Sequence, residues 1–192
     1  MGIIFSLSGS KAVGKTTLIN GLKKTLPDLK IREGFRQTDI GLHLDIEEEF
    51  YANQRWYINR EIKEYIEFKD KDNTVLLLRG PEDIEFYTLY YPIINGERWD
   101  VEANLSHELG ELRKCKSDHI IYLDAPIDVI MKRKNFDKTK SRNNMANWIS
   151  KWQPHLEQYM KSINYTKIIN TADLTAEDVL KKVTRWMKEK IN

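Results

Sequence analysis

Residues Gly9-Ser10-Lys11-Ala12-Val13-Gly14-Lys15-Thr16 follow the apolar run Ile3-Ile4-Phe5-Ser6-Leu7 and precede leucines at four-residue spacing, Leu18, Leu22 and Leu26. That is G-x-x-x-x-G-K-[ST] between a strand and a helix, the context in which this motif is a phosphate-binding loop. Glycines let the backbone wrap a triphosphate with its N–H groups turned inward, where side chains would collide. Lys15 can reach the β- and γ-phosphates and the Thr16 hydroxyl can bind Mg²⁺. The helix opening near Lys15 adds the positive end of its dipole. The nucleotide-binding set expected here is Gly9, Ser10, Lys11, Ala12, Val13, Gly14, Lys15, Thr16 and the adjoining Thr17.

Beyond the loop, strand-like and helix-like patterns alternate. Residues 29–32 read as a short strand, and the spacing of Phe50, Ile58, Ile62, Tyr65 and Ile66 predicts a long helix over about 46–69. Thr74-Val75-Leu76-Leu77-Leu78 is apolar enough for a parallel strand buried on both faces, and Arg79-Gly80-Pro81 stops it. An aromatic segment (Phe86, Tyr87, Tyr90, Tyr91) leads to Pro92, with core packing its expected role. A helix is predicted over about 100–114, with Val101, Leu105, Leu109 and Leu112 inward. The fourth strand is 119–123, and Pro126 is placed to open the helix after it. A helical stretch with Trp148 and Trp152 reads as interrupted at Pro154. Residues 167–170 form the fifth strand, and Thr175 with Asp178 resembles a capping box for the last helix. This alternation predicts an α/β fold: a five-stranded parallel sheet with helices on both faces, in one domain spanning 1–192.

The totals set broad limits. A net charge of +2 points neither toward nor away from a polyanionic partner. The single cysteine, Cys115, excludes an internal disulfide and suits a reducing compartment. No apolar run reaches membrane-span length and no leader is visible ahead of the first strand, so a cytoplasmic location is expected. Met1-Gly2-Ile3-Ile4-Phe5-Ser6 matches the lettering of a myristoylation signal, but the same residues read as a central buried strand.

In parallel sheets of this kind ligands bind at the carboxyl ends of the strands. Glu33 ends the second strand, where it could take a proton from an acceptor hydroxyl or bind the metal. Arg36 and Arg79 are candidate clamps on substrate phosphate. Between Lys132 and Arg142 lie six basic residues, including Arg133, and one acid. That cluster reads as a lid, over about 132–145, closing on the nucleotide.

Taken in order, these features resemble the P-loop nucleoside and nucleotide kinases, the group holding deoxynucleoside kinases and thymidylate kinases. The similarity runs over nearly the whole chain. It is carried by the phosphate loop, Arg32-Glu33-Gly34-Phe35-Arg36, Leu78-Arg79-Gly80-Pro81, Leu123-Asp124-Ala125-Pro126, the basic lid and Asn170-Thr171-Ala172. The resemblance implies a P-loop NTPase fold and ATP- and Mg²⁺-dependent phosphoryl transfer to a nucleoside or nucleoside monophosphate. It implies roles for Lys15, Glu33, Arg79 and Arg133 in catalysis, Arg142 at the donor, and Arg36 and Gln54 at the acceptor. Leu78 departs from the pattern: the family has an aspartate before this arginine, which helps to organise Mg²⁺. Either Glu82, Asp83 or Asp124 takes its place, or catalysis is weak, or the chain binds nucleotide without ordinary kinase turnover. The other readings are a kinase of another small molecule or of a nucleic-acid 5′ end, and a nucleotide-responsive regulatory protein with little turnover. A homodimer through the long helix is compatible with the sequence.

Overall fold

The computed structural model describes residues 2–34, 43–136 and 145–191. Along the chain these form β1 (Ile3–Gly9), α1 (Lys15–Thr25), β2 (Lys30–Arg32), α2 (Glu47–Lys69), β3 (Thr74–Leu78) and α3 (Pro81–Asn95). There follow α4 (Val101–Asn104), α5 (Ser106–Leu112), β4 (His119–Asp124), α6 (Ile127–Phe136), α7 (Met145–Ser162), β5 (Thr166–Asn170) and α8 (Ala176–Ile191). The strands make one five-stranded sheet in the order β2-β3-β1-β4-β5, every pair parallel. The α/β architecture expected from the alternating pattern is the one observed.

β1 takes the centre because it can be buried on both faces. Its alternate residues Phe5 and Leu7, with Leu76, Ile121 and Leu123 from its neighbours, meet Leu18 and Leu22 of α1 and Val183 and Met187 of α8. On the opposite face Ile4, Val75 and Leu77 pack on Tyr65 of α2 and on Cys115. There Ile120 and Tyr122 meet Phe86 of α3 and Trp152, Leu156 and Met160 of α7. Ser6 and Ser8 also face this second side, fully buried.

The structure assigns the aromatic segment, which the sequence left open, and corrects two expectations. The aromatic segment is helix α3, and Pro92 lies within it. The helix closes at Gly96 (φ 83°), whose N–H and that of Glu97 return to the carbonyls of Ile93 and Pro92. One lost backbone donor is outweighed by packing on its aromatic face, where Phe86 stacks on Tyr90 at 4.7 Å. Likewise α7 runs through Pro154 without interruption. The helix expected over 100–114 is instead two, α4 and α5, broken at the buried Leu105 (φ −121°, ψ 22°). The capping box on α8 is present: Thr175 Oγ1 accepts from the Asp178 N–H at 3.1 Å, while Asp178 Oδ2 accepts from the Thr175 N–H at 3.2 Å.

Candidate active site

β1 ends in a tight turn that only small residues allow. Gly9 has φ 137°, and a β-carbon there would stand 2.4 Å from the Leu123 carbonyl oxygen. Gly14, the residue before α1, has φ 108°, and Ala12 also sits in the left-handed region at φ 60°. α1 starts at Lys15, so its first-turn N–H groups have no partner within the helix and face the loop. The Lys15 ammonium lies across this loop, 2.7 Å from the carbonyl oxygens of both Gly9 and Ser10. Thr16 and Thr17 are exposed at its open end.

Beside the loop the chain leaves β3 through Arg79, a non-glycine residue at φ 63°. Its N–H reaches back to the Leu7 carbonyl, and its guanidinium carbon lies 5.7 Å from the centre of the Tyr87 ring. This turn drops the first residues of α3 onto β1. Asp83, 2 % exposed, accepts from Ser8 Oγ at 2.8 Å through Oδ1, while Oδ2 has no hydrogen-bond partner among the described residues. Burial raises the Asp83 carboxyl to about 6, against the downward pull of the Ser8 hydrogen bond and of Arg79 and Lys15. Three more buried polar atoms without partners among the described residues, Ser10 Oγ, Tyr122 Oη and Gln153 Oε1, belong to this end of β1 and β4. Gln153 is held there by its amide, which donates to the Ala125 carbonyl at 3.0 Å. Unpaired groups of this kind cost about 1–3 kcal/mol each unless water or a ligand completes them.

On the other side of the loop a cavity of about 300 Å³ lies between the start of α1 and the turn from β5 to α8. It is walled by Ala12, Thr17, Leu18, Leu174 and Val179, with Arg133 at its edge. Arg133 is fixed, donating to Thr171 Oγ1 at 2.9 Å and to the Thr171 carbonyl at 2.5 Å. Thr171 is anchored in turn to the Asp124 carbonyl, through both its N–H and its hydroxyl.

No family model matches the chain, and no curated protein matches it in sequence. Solved structures do match over nearly its full length. A deoxyadenosine kinase from M. mycoides, solved with bound dCTP, superposes with a TM-score of 0.71 at 14% identity, covering 97% of this chain and 100% of its own. The YorR protein from Bacillus subtilis, in complex with phosphorylated GDP, gives 0.61 at 17% identity over 97% and 96% of the two chains. A thymidylate kinase from Candida albicans gives 0.61 at 17% identity over 98% and 92%. The fold is that of the P-loop nucleoside and nucleotide kinases.

Within this P-loop kinase fold the expected site residues separate into groups. Lys15, Thr16 and the loop stand at the strand ends with Arg79 on one side and Arg133 on the other. Glu33 is not among them: its exposed carboxylate pairs with Lys23 at 2.8 Å, a partner that holds it below the usual carboxylate range. Lys23 lies roughly 12 Å along α1 from Lys15. Gln54 is buried between α2 and α3, where its Oε1 accepts from Thr88 Oγ1 at 2.9 Å. Arg36 and Arg142 lie outside the described residues, as does most of the basic lid. Of the lid's start, Arg133 is tied to Thr171, and Lys132 makes a surface pair with Asp128 at 3.6 Å.

Ser8, Tyr122 and Gln153 were not read from the sequence. Ser6 and Ser8 did carry a signal, since two hydroxyls at strand spacing in an otherwise apolar central strand need buried partners. Glu82 and Asp83 supply them. Glu82 accepts from the Ser117 N–H at 2.8 Å, from Ser117 Oγ at 2.9 Å and from Ser6 Oγ at 3.4 Å.

Proposed function

We propose that this chain is an ATP-dependent kinase that transfers the γ-phosphoryl group to a nucleoside or nucleoside monophosphate. The observation that supports this best is the Lys15 loop standing directly beside Asp83, Arg79 and the orphaned polar atoms of Ser10, Tyr122 and Gln153. A phosphate cradle adjoins a polar recess, so donor and acceptor can meet at one place.

Phosphoryl transfer asks the protein mostly for positioning and charge. Lys15 exchanges its two carbonyl partners for the β- and γ-phosphate oxygens, and the N–H groups of the loop and α1 hold the remaining oxygens. The cavity beside Arg133 takes the donor base, with the guanidinium lying on the ring and the walls excluding water. Arg79 faces the acceptor side. Its left-handed backbone is a local strain of the kind that sites keep when the surroundings over-determine it. Thr16 would hold Mg²⁺, which when bound neutralises charge on the β- and γ-phosphates. Among the described residues no three His, Cys, Asp or Glu side chains gather into a metal cage. That fits an ion whose remaining ligands are phosphate oxygens and water. Glu33 is given no role.

The test is turnover of ATP and Mg²⁺ against a panel of nucleosides, nucleoside monophosphates and short oligonucleotides, with products resolved by mass. One phosphorylated nucleoside or nucleotide supports the proposal and names the acceptor. Phosphorylation of oligonucleotide ends alone, or ATP binding with no transfer, replaces it with the nucleic-acid or the regulatory reading.

A further inference from the structure

Leu78 stands at the end of β3, packed against the core shared by α1 and α8, and offers nothing to a metal ion. We propose that Asp83, from the first turn of α3, is the carboxylate that positions Mg²⁺ on the bound nucleotide. The inference rests on the phosphoryl-transfer reading above.

Three acids follow the strand ends nearest the loop, and their surroundings separate them. Glu82 has both carboxylate oxygens occupied by Ser117, Ser6 and Tyr165, and points toward the start of β4. Asp124 ends β4 beside α7, 4.0 Å from Lys161. Asp83 alone among them is buried at the floor of the loop, held through one oxygen by Ser8, the residue before Gly9. Its second oxygen is buried and, among the described residues, unpaired, and Lys15 and Arg79 are close enough to act on its charge.

A buried carboxylate with half its acceptor capacity unused is costly unless a donor completes it. Mg²⁺ keeps several of its waters, and a water bound to the ion is a strong donor. The backbone explains how a residue of α3 comes to this place. Arg79 reverses the chain at the end of β3, and Gly80 lets it lie on Ser6, so the helix begins over β1. Asp83 thus acts as a positioning residue, holding the ion's water shell at the loop. Sequence alignment to the end of β3 would miss it.

The experiment is calorimetric titration of ATP, with Mg²⁺ and with chelator, into the parent and Asp83→Asn. The parent gains roughly tenfold in ATP affinity from Mg²⁺, within the usual range for coupled ligands. Asp83→Asn loses that gain while binding metal-free ATP at least as tightly as the parent, because a negative charge has gone. A variant that keeps the Mg²⁺ gain overturns the inference and leaves the kinase proposal standing. A parent that binds no ATP under either condition overturns both. A second measurement uses the unaltered protein: Fe²⁺ replaces Mg²⁺ on ATP, and ascorbate with peroxide cuts the backbone near the ion. Cleavage around residues 82–84 as well as the loop supports the assignment, and cleavage at 124 without 82–84 gives the role to Asp124.

Discussion

Gly80 lies so close over Ser6 that a β-carbon on it would stand 1.9 Å from Ser6 Oγ. Ser6 Oγ is not free to swing aside, since it shares a 2.5 Å hydrogen bond with Ser117 Oγ beside Glu82. Gly80→Ala is therefore expected to cost about 1–3 kcal/mol by overpacking. In a double-mutant cycle, Ser6→Ala should recover part of that loss. Additive costs in denaturant melts would show that the contact does not limit the turn.

Lys15→Ala is expected to leave the melting temperature nearly unchanged and to weaken ATP binding by roughly a hundredfold, the loss of charge-assisted contacts to two phosphates. Equal ATP affinity in variant and parent, by calorimetry, would refute the phosphate-loop reading itself.

Arg133→Ala removes the donors that meet Thr171 Oγ1 and its carbonyl. We expect about tenfold weaker ATP binding and a stability loss of about 1–2 kcal/mol from the stranded acceptors. Arg133→Lys should recover little of either, because an ammonium lacks the planar fork. Fluorescence titration with a labelled nucleotide reads the first effect and thermal melts the second.

Glu33→Gln should change turnover by less than about twofold, since the carboxylate is exposed and paired with a surface lysine. A loss of two orders of magnitude or more would return Glu33 to the acceptor site.

The pH dependence of stability should carry a mark from Glu61. Burial pushes its carboxyl up to about 7 from an ordinary 4.5, although Arg32 at 2.5 Å pulls the other way. The folded chain then keeps a proton that the unfolded chain has lost. Stability falls as pH rises through that interval and levels off above it, by about 3 kcal/mol at most. Glu61→Gln should flatten this decline between about pH 5 and about pH 8. Parallel declines in urea midpoints for parent and variant would assign the effect elsewhere.

The parallel sheet and the loop were legible because their signals are local. A buried strand shows as an apolar run, and a phosphate loop needs glycine at fixed offsets. Pro154 misled because tertiary packing decides whether a proline ends a helix: α7 runs through it with Trp152, Leu156 and Met160 buried against Phe86, Ile120 and Tyr122. Glu33 was hard to place for a different reason. Sequence places it at the end of β2, but its pairing with Lys23 depends on how α1 lies beside that edge strand. Asp83 was visible only as one of three acids. The Ser8 contact that singles it out joins distant parts of the chain through the conformation of Arg79 and Gly80.

Glu82 and Asp83 are consecutive, yet they grip β1 at different heights, one through Ser6 and the other through Ser8. Those hydroxyls stand about 7 Å apart along the strand. A helix nailed at two points can neither roll nor slide without breaking buried hydrogen bonds. α3 is thus a fixed wall of the recess, whose shape on that side is already set. Any closing movement has to be made by other elements advancing toward it, as a jaw closes on an anvil.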